Sequence, residues 1–157
     1  ELYMPSDNPK HAISTKLLPL TCGYDIPYPT SGPTVWRGFY CTDYGLPGTD
    51  TPHYGIITGH STLKADTVMN HLMVQGKDLV GKRIYVRTRA SGDRWLIYEF
   101  RSVHWVDKPD LGQATELWGD KNTSTAGRLV FLTCQQIAPG VQSTQNFGAV
   151  AKFVGVR

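Results

Sequence analysis

Cys134 follows the apolar run Leu129-Val-Phe-Leu-Thr133, and His60 follows Tyr54-Gly-Ile-Ile-Thr-Gly59, so each reactive side chain stands where a strand-like segment stops. A thiol beside an imidazole can run acyl transfer: the thiolate attacks a carbonyl carbon and the imidazolium returns a proton to the departing amine. Strand ends suit that work, because a sheet fixes the backbone while the loop beyond leaves room for substrate. On residue types alone the pair fits a buried inert cysteine and a structural histidine as well as a catalytic dyad.

The other candidates for chemistry reduce quickly. His53, His71 and His104 do not combine with His60 and a carboxylate at metal-ligand spacing, so neither a metal nor a cofactor is expected. Cys22 and Cys41 lie in a Pro-, Gly- and Tyr-rich half of the chain and fit no zinc pattern. In an oxidising compartment they can form a disulfide, whereas in a cytosolic protein they would be buried thiols.

The elements that must position Cys134 and His60 read as mostly β. A length of 157 residues suits one domain, and 16 Gly with 10 Pro favour a turn-rich fold over a helical bundle. The net charge of +3 comes from basic residues scattered along the chain, which excludes the clustered footprint of a nucleic-acid binder. No run of about 18 apolar residues is present to span a bilayer. The chain begins at Glu1 without an initiator Met, and a membrane anchor is expected upstream of it.

Residues 1–20 read as an N-terminal arm and residues 21–157 as the folded barrel. Val35 to Tyr40 and Tyr54 to His60 are strand candidates, and Leu63 to Gln75 carries apolar residues at helical spacing with Ser61 or Thr62 as caps. Lys82 to Arg89 and Trp95 to Phe100 alternate about an Ala-Ser-Gly-Asp-Arg turn as a β-hairpin, extended through Val106. Leu129 to Cys134 is a buried strand, Gln135 to Gln145 a loop, and Ala149 to Val156 the last strand. The expected architecture is a single-domain closed β-barrel of about eight strands with short helices in the connections, which leaves few exposed edges.

Several of these segments, in this order, resemble the sortase family of cysteine transpeptidases. Leu129-Val-Phe-Leu-Thr-Cys134 is similar to the apolar strand ending in Thr-Cys, and Ile56-Ile-Thr-Gly-His60 to the strand ending in Gly-His. Leu46-Pro-Gly48 stands where sortases of the actinobacterial housekeeping type carry Pro-Gly, and Asp78 to Val86 and Tyr98 to Val106 resemble the family's intervening strands. The resemblance implies that Cys134 attacks the Thr-Gly bond of a sorting signal such as Leu-Pro-x-Thr-Gly. It further implies that His60 acts as general acid and base, and that Thr133 lies beside the bound peptide. The thioacyl intermediate would pass to an amine of a peptidoglycan precursor or a pilin, on the extracellular face of the membrane of a Gram-positive bacterium.

One family feature is missing. Sortases carry an Arg on the strand after the cysteine, and here Asn146, or Thr144, stands in its place, with Arg37, Arg128 and Arg157 as substitutes from elsewhere. An amide can donate to an oxyanion but brings no charge. The alternatives to a full transpeptidase are therefore a catalytically weak or inactive sortase-fold module that binds a peptide, and a different cysteine hydrolase.

Overall fold

The computed structural model describes residues 1–23, 26–135 and 141–157. Nine strands form one sheet: β1 (Leu2–Met4), β2 (Ile13–Thr15), β3 (Leu18–Leu20), β4 (Gly38–Cys41), β5 (Gly55–Gly59), β6 (Arg83–Val86), β7 (Leu96–Asp107), β8 (Arg128–Cys134) and β9 (Gln145–Val156). Their order across the sheet is β2-β1-β6-β7-β9-β8-β5-β4-β3. Two short helices, α1 (Val68–Met73) and α2 (Thr115–Trp118), and two 3₁₀ helices, Gly76–Leu79 and Lys108–Gln113, fill the connections.

The mostly-β, single-domain expectation holds, with two refinements. Residues 1–20, read as an arm leading into the first strand, contribute three short strands: β1 pairs with β6 and β2, and β3 pairs with β4. The sheet also closes through the chain rather than through a ladder. Its two edge strands, β2 and β3, are joined only by Lys16 and Leu17, so the sheet must curl until its edges meet. Irregularities in the β7–β9 register at Ile97/Tyr98 and Phe100/Ser102 help these two 12-residue strands bend, as bulges do.

Alternation along the strands then separates an inside from an outside. Leu129, Phe131, Phe147, Ala149, Ala151, Ile84 and Phe100 fill the barrel together with Met69 and Leu72 of α1. Val130, Leu132 and Val150 point the other way and are covered by Val106, Ala114 and Leu117. β8 is therefore buried on both faces, which is why it reads as an unbroken apolar run rather than an alternating one.

The cover depends on one close approach. A Cβ at Gly148 would lie 2.5 Å from Leu117 Cδ2 and 2.9 Å from Cδ1, and Leu117 is fully buried with no space to retreat into. Gly148→Ala is expected to lower stability by about 1–3 kcal/mol in urea unfolding. An unchanged midpoint would mean that α2 is not seated on β9.

Candidate active site

The parallel pair β5 and β8 brings the two reactive side chains level. Thr58 lies opposite Leu132, and His60 and Cys134 each follow two residues further on, at the same end of the two parallel strands. Thr58 Oγ1 donates to the Leu132 carbonyl at 2.8 Å and Thr133 Oγ1 to the Gly59 carbonyl at 2.7 Å, tying the two strand ends together. One residue beyond His60, the Ser61 hydroxyl donates to the carbonyl of Cys134 itself.

Beyond His60 the chain is held by Asn70 of α1. Its Oδ1 accepts from Thr62 N at 3.0 Å, and its Nδ2 donates to the carbonyls of Thr62 and Ala65 at 2.6 and 2.8 Å. This places the helix later than the sequence pattern suggests: Thr67, not Ser61 or Thr62, is the cap, accepting from Asn70 N at 3.1 Å.

On its other side β8 pairs with β9, and Asn146 is the direct cross-strand partner of Cys134. His60, Cys134 and Asn146 thus stand at the matched ends of three adjacent strands. Cys134 is a half-buried free thiol, and Asn146 is 7% exposed. Thr133 lies one residue before the nucleophile on the inner face. It is fully buried and its hydroxyl donates to Gly59 O, which fastens the ends of β5 and β8 together.

The arginines considered as substitutes have other partners. Arg128 starts β8, at the end remote from Cys134, and donates to Leu117 O at 3.1 Å. Arg157 follows the far end of β9, with its backbone paired to Trp95. Arg37 precedes β4, whose Gly38 pairs with Gly59, so it stands at the His60 end of the sheet, but its guanidinium donates to Lys16 O at 3.1 Å.

A groove of about 410 Å³ opens on the outer face of β5, β8 and β9. Ile56, Leu132 and Asn146 form its floor, Tyr44, Tyr54 and Trp118 one wall, and Lys108, Pro109 and Leu111 another. Tyr54 lies 5.6 Å from Tyr44 and 5.5 Å from Trp118, centroid to centroid. Such a surface offers apolar area and flat faces to an extended peptide.

Tyr28, which sequence reading passed over, sits at the head of this groove. Its hydroxyl hydrogen-bonds Thr58 Oγ1 and its ring lies 4.8 Å from that of His60. Burial pushes its pKa up to about 12; the Thr58 hydrogen bond opposes the shift and the charge of a Cys134 thiolate adds to it. The next residue, Pro29, offers its carbonyl to His60 Nε2 at 3.1 Å, and Trp36 meets the imidazole edge-on at 6.0 Å. Because a carbonyl only accepts, Nε2 carries a proton in this arrangement.

The segment bearing Tyr28 is anchored at its base. Cys22 and Cys41 are joined in a disulfide, which settles the alternative left open by the sequence, and the Asp43 carboxylate accepts from Cys22 N and Gly23 N at 2.9 and 2.7 Å. Those backbone donors, Cys22 foremost, hold the Asp43 carboxyl below its ordinary pKa. The loop expected over Gln135 to Gln145 lies partly outside the described residues.

No protein-family model and no curated protein matches the sequence. Solved structures do match. Listeria monocytogenes sortase A superposes over 99% of this chain and 86% of its own, with a TM-score of 0.64 at 13% identity. Corynebacterium diphtheriae sortase A covers 75% of this chain with a TM-score of 0.54 at 23% identity. Streptococcus pneumoniae sortase C, whose structure is described in terms of catalysis and pilin substrate specificity, covers 75% with a TM-score of 0.53 at 16% identity. The fold is that of the sortases. The chain spans 48% and 52% of the lengths of the last two structures, so its likeness to them is to a common barrel. Within that sortase fold, Cys134 and His60 end neighbouring parallel strands at one rim.

Proposed function

We propose that this chain is a cysteine transpeptidase of the sortase type, with Cys134 as nucleophile and His60 as its proton carrier. The observation that carries this reading is the juxtaposition of a free thiol and an imidazole at the rim of parallel strands, above a peptide-sized aromatic groove.

The chemistry runs as follows. Cys134 Sγ attacks the carbonyl carbon of a Thr-Gly bond in a Leu-Pro-x-Thr-Gly-like signal, and the carbonyl π electrons move to oxygen. The oxyanion collapses, the C–N bond breaks, and His60 protonates the departing glycine nitrogen, leaving a thioester. An amine of a peptidoglycan precursor or pilin then attacks the thioester, giving its proton to His60 as Cys134 is released. His60 must first let go of the Pro29 carbonyl, a neutral hydrogen bond worth about 1 kcal/mol. The Asn146 amide, cross-strand to Cys134, is suited to donate to the oxyanion. The protein works at the outer face of a Gram-positive membrane.

A second reading, a module that binds a sorting peptide with little or no turnover, draws on the uncharged amide at position 146. Covalent labelling separates the two. On incubation with a Leu-Pro-Glu-Thr-Gly peptide, Cys134 is expected to gain the mass of the acyl fragment, to lose it to hydroxylamine, and to show no gain in Cys134→Ala. Peptide binding without any adduct would favour the module.

A further inference from the structure

We propose that Lys108 supplies the positive charge for the oxyanion at Cys134, the role for which β9 offers only the neutral Asn146. This rests on the transpeptidase reading above and adds a catalytic residue to it.

Three observations carry the inference. Among the described residues, Lys108 is the only charged residue lining the groove, and it lines it together with Asn146 and Leu132, the residue two before Cys134. Its place is fixed by the sheet: Val106 pairs with Asn146, Asn146 pairs with Cys134, and Lys108 N donates to Thr144 O at 3.0 Å. Pro109 follows directly and restricts the backbone of Lys108 as the 3₁₀ helix Lys108–Gln113 begins.

Reach is adequate. Lys108 lies two strands across from Cys134 and two residues further along, which sets their Cα atoms about 12 Å apart. A lysine stem spans about half of that with its single bonds of about 1.5 Å, and the carbonyl under attack occupies the rest. The competing cations are otherwise engaged: Lys152 pairs with Arg128 at the other end of β8, Arg157 lies at that same end, and Arg37, at the His60 end, donates to Lys16 O and lines a different cavity with Asp66 and His71.

Electrostatics makes the charge effective there. Lys108 is exposed, and its ammonium attracts the negative charge that develops on the carbonyl oxygen. When Sγ bonds to the carbon, that oxygen gains the electron pair. The Lys108 ammonium and the Asn146 amide donate to it from the same side, and both release it when the C–N bond breaks. No proton leaves Lys108. Sequence reasoning passed over this residue because it sought the cation on the strand after the cysteine, whereas Lys108 directly follows β7, two strands from β8.

The test is steady-state cleavage of a Leu-Pro-Glu-Thr-Gly peptide by Lys108→Ala, Lys108→Gln and Lys108→Arg. Removing the charge is expected to lower kcat about 10²-fold, with KM moving less than about 3-fold, and Arg is expected to restore kcat to within about 5-fold. Alkylation of Cys134 by iodoacetamide, which forms no oxyanion, and the melting temperature should match across the set. Unchanged kcat in Lys108→Ala, or an Arg variant as slow as the Ala variant, overturns the assignment and leaves the transpeptidase reading standing. Absence of any Cys134 adduct in the unsubstituted protein overturns both.

Discussion

Replacing His60 by alanine is expected to slow acylation of Cys134 by about 10²- to 10⁴-fold while leaving the protein folded. The imidazole is half-buried and stands just past β5, outside the barrel core, so its loss removes ring contacts with Tyr28 and Trp36 rather than a keystone of packing. What the reaction loses is the proton for the departing amine. Without it the C–N bond must break to an amide anion or wait for water, and the tetrahedral intermediate returns to substrate. The measurement is the rate of acyl-adduct formation by mass spectrometry, with iodoacetamide alkylation as a control that needs no leaving-group proton. Unchanged acylation in His60→Ala would remove the residue from the mechanism. Equal losses in acylation and alkylation would make it an activator of the thiol rather than an acid for the amine.

How this site was legible in the sequence follows from where each strand lies in the barrel. β5 and β8 are central strands buried on both faces, so they read as continuous apolar runs, and the reactive residue at each end stood out against them. β1, β2 and β3 have three residues each and lie towards the sheet edges, β3 carrying Pro19 in its middle; such segments have too few alternations to register as strands. β9 starts at Gln145, four residues before the strand expected from Ala149, because Phe147 already fills the core while the polar Gln145 and Asn146 ahead of it carry no apolar signal. That early start is what carries Asn146 to Cys134.

The residues that were not legible share another cause. Tyr28 comes from an irregular segment without periodicity, and Lys108 from the turn after β7, so neither carries a local signal of function. Only the curl of the sheet, and the way the segment at 107–118 folds back over β8 and β9, brings them to the same groove. Thr133 is a different case. The family resemblance sets it beside the bound peptide, while alternation along β8 puts adjacent residues on opposite faces, and Thr133 shares the inner face with Phe131.

Loss of the Cys22–Cys41 disulfide is expected to lower the unfolding free energy by about 3 kcal/mol, the chain-entropy value for a loop of this length. The two cysteines are 19 positions apart and enclose the segment that carries Tyr28, Pro29 and Trp36. The ends of that loop are also joined without sulfur: Leu20 pairs with Cys41 in the β3–β4 ladder, and Asp43 holds the backbone of Cys22 and Gly23. In the folded state the bridge therefore adds little that the ladder does not already fix, and its main effect is to restrict the unfolded chain. A Cys22→Ala/Cys41→Ala double variant should accordingly unfold at lower urea concentration, with its acylation rate at low temperature reduced far less than by His60→Ala. A change in stability below about 1 kcal/mol would contradict the entropic account. A loss of acylation equal to that of His60→Ala in a still-folded protein would show instead that the bridge holds Tyr28 and Pro29 against the imidazole, so that the same loop that roofs the site also orients its proton carrier.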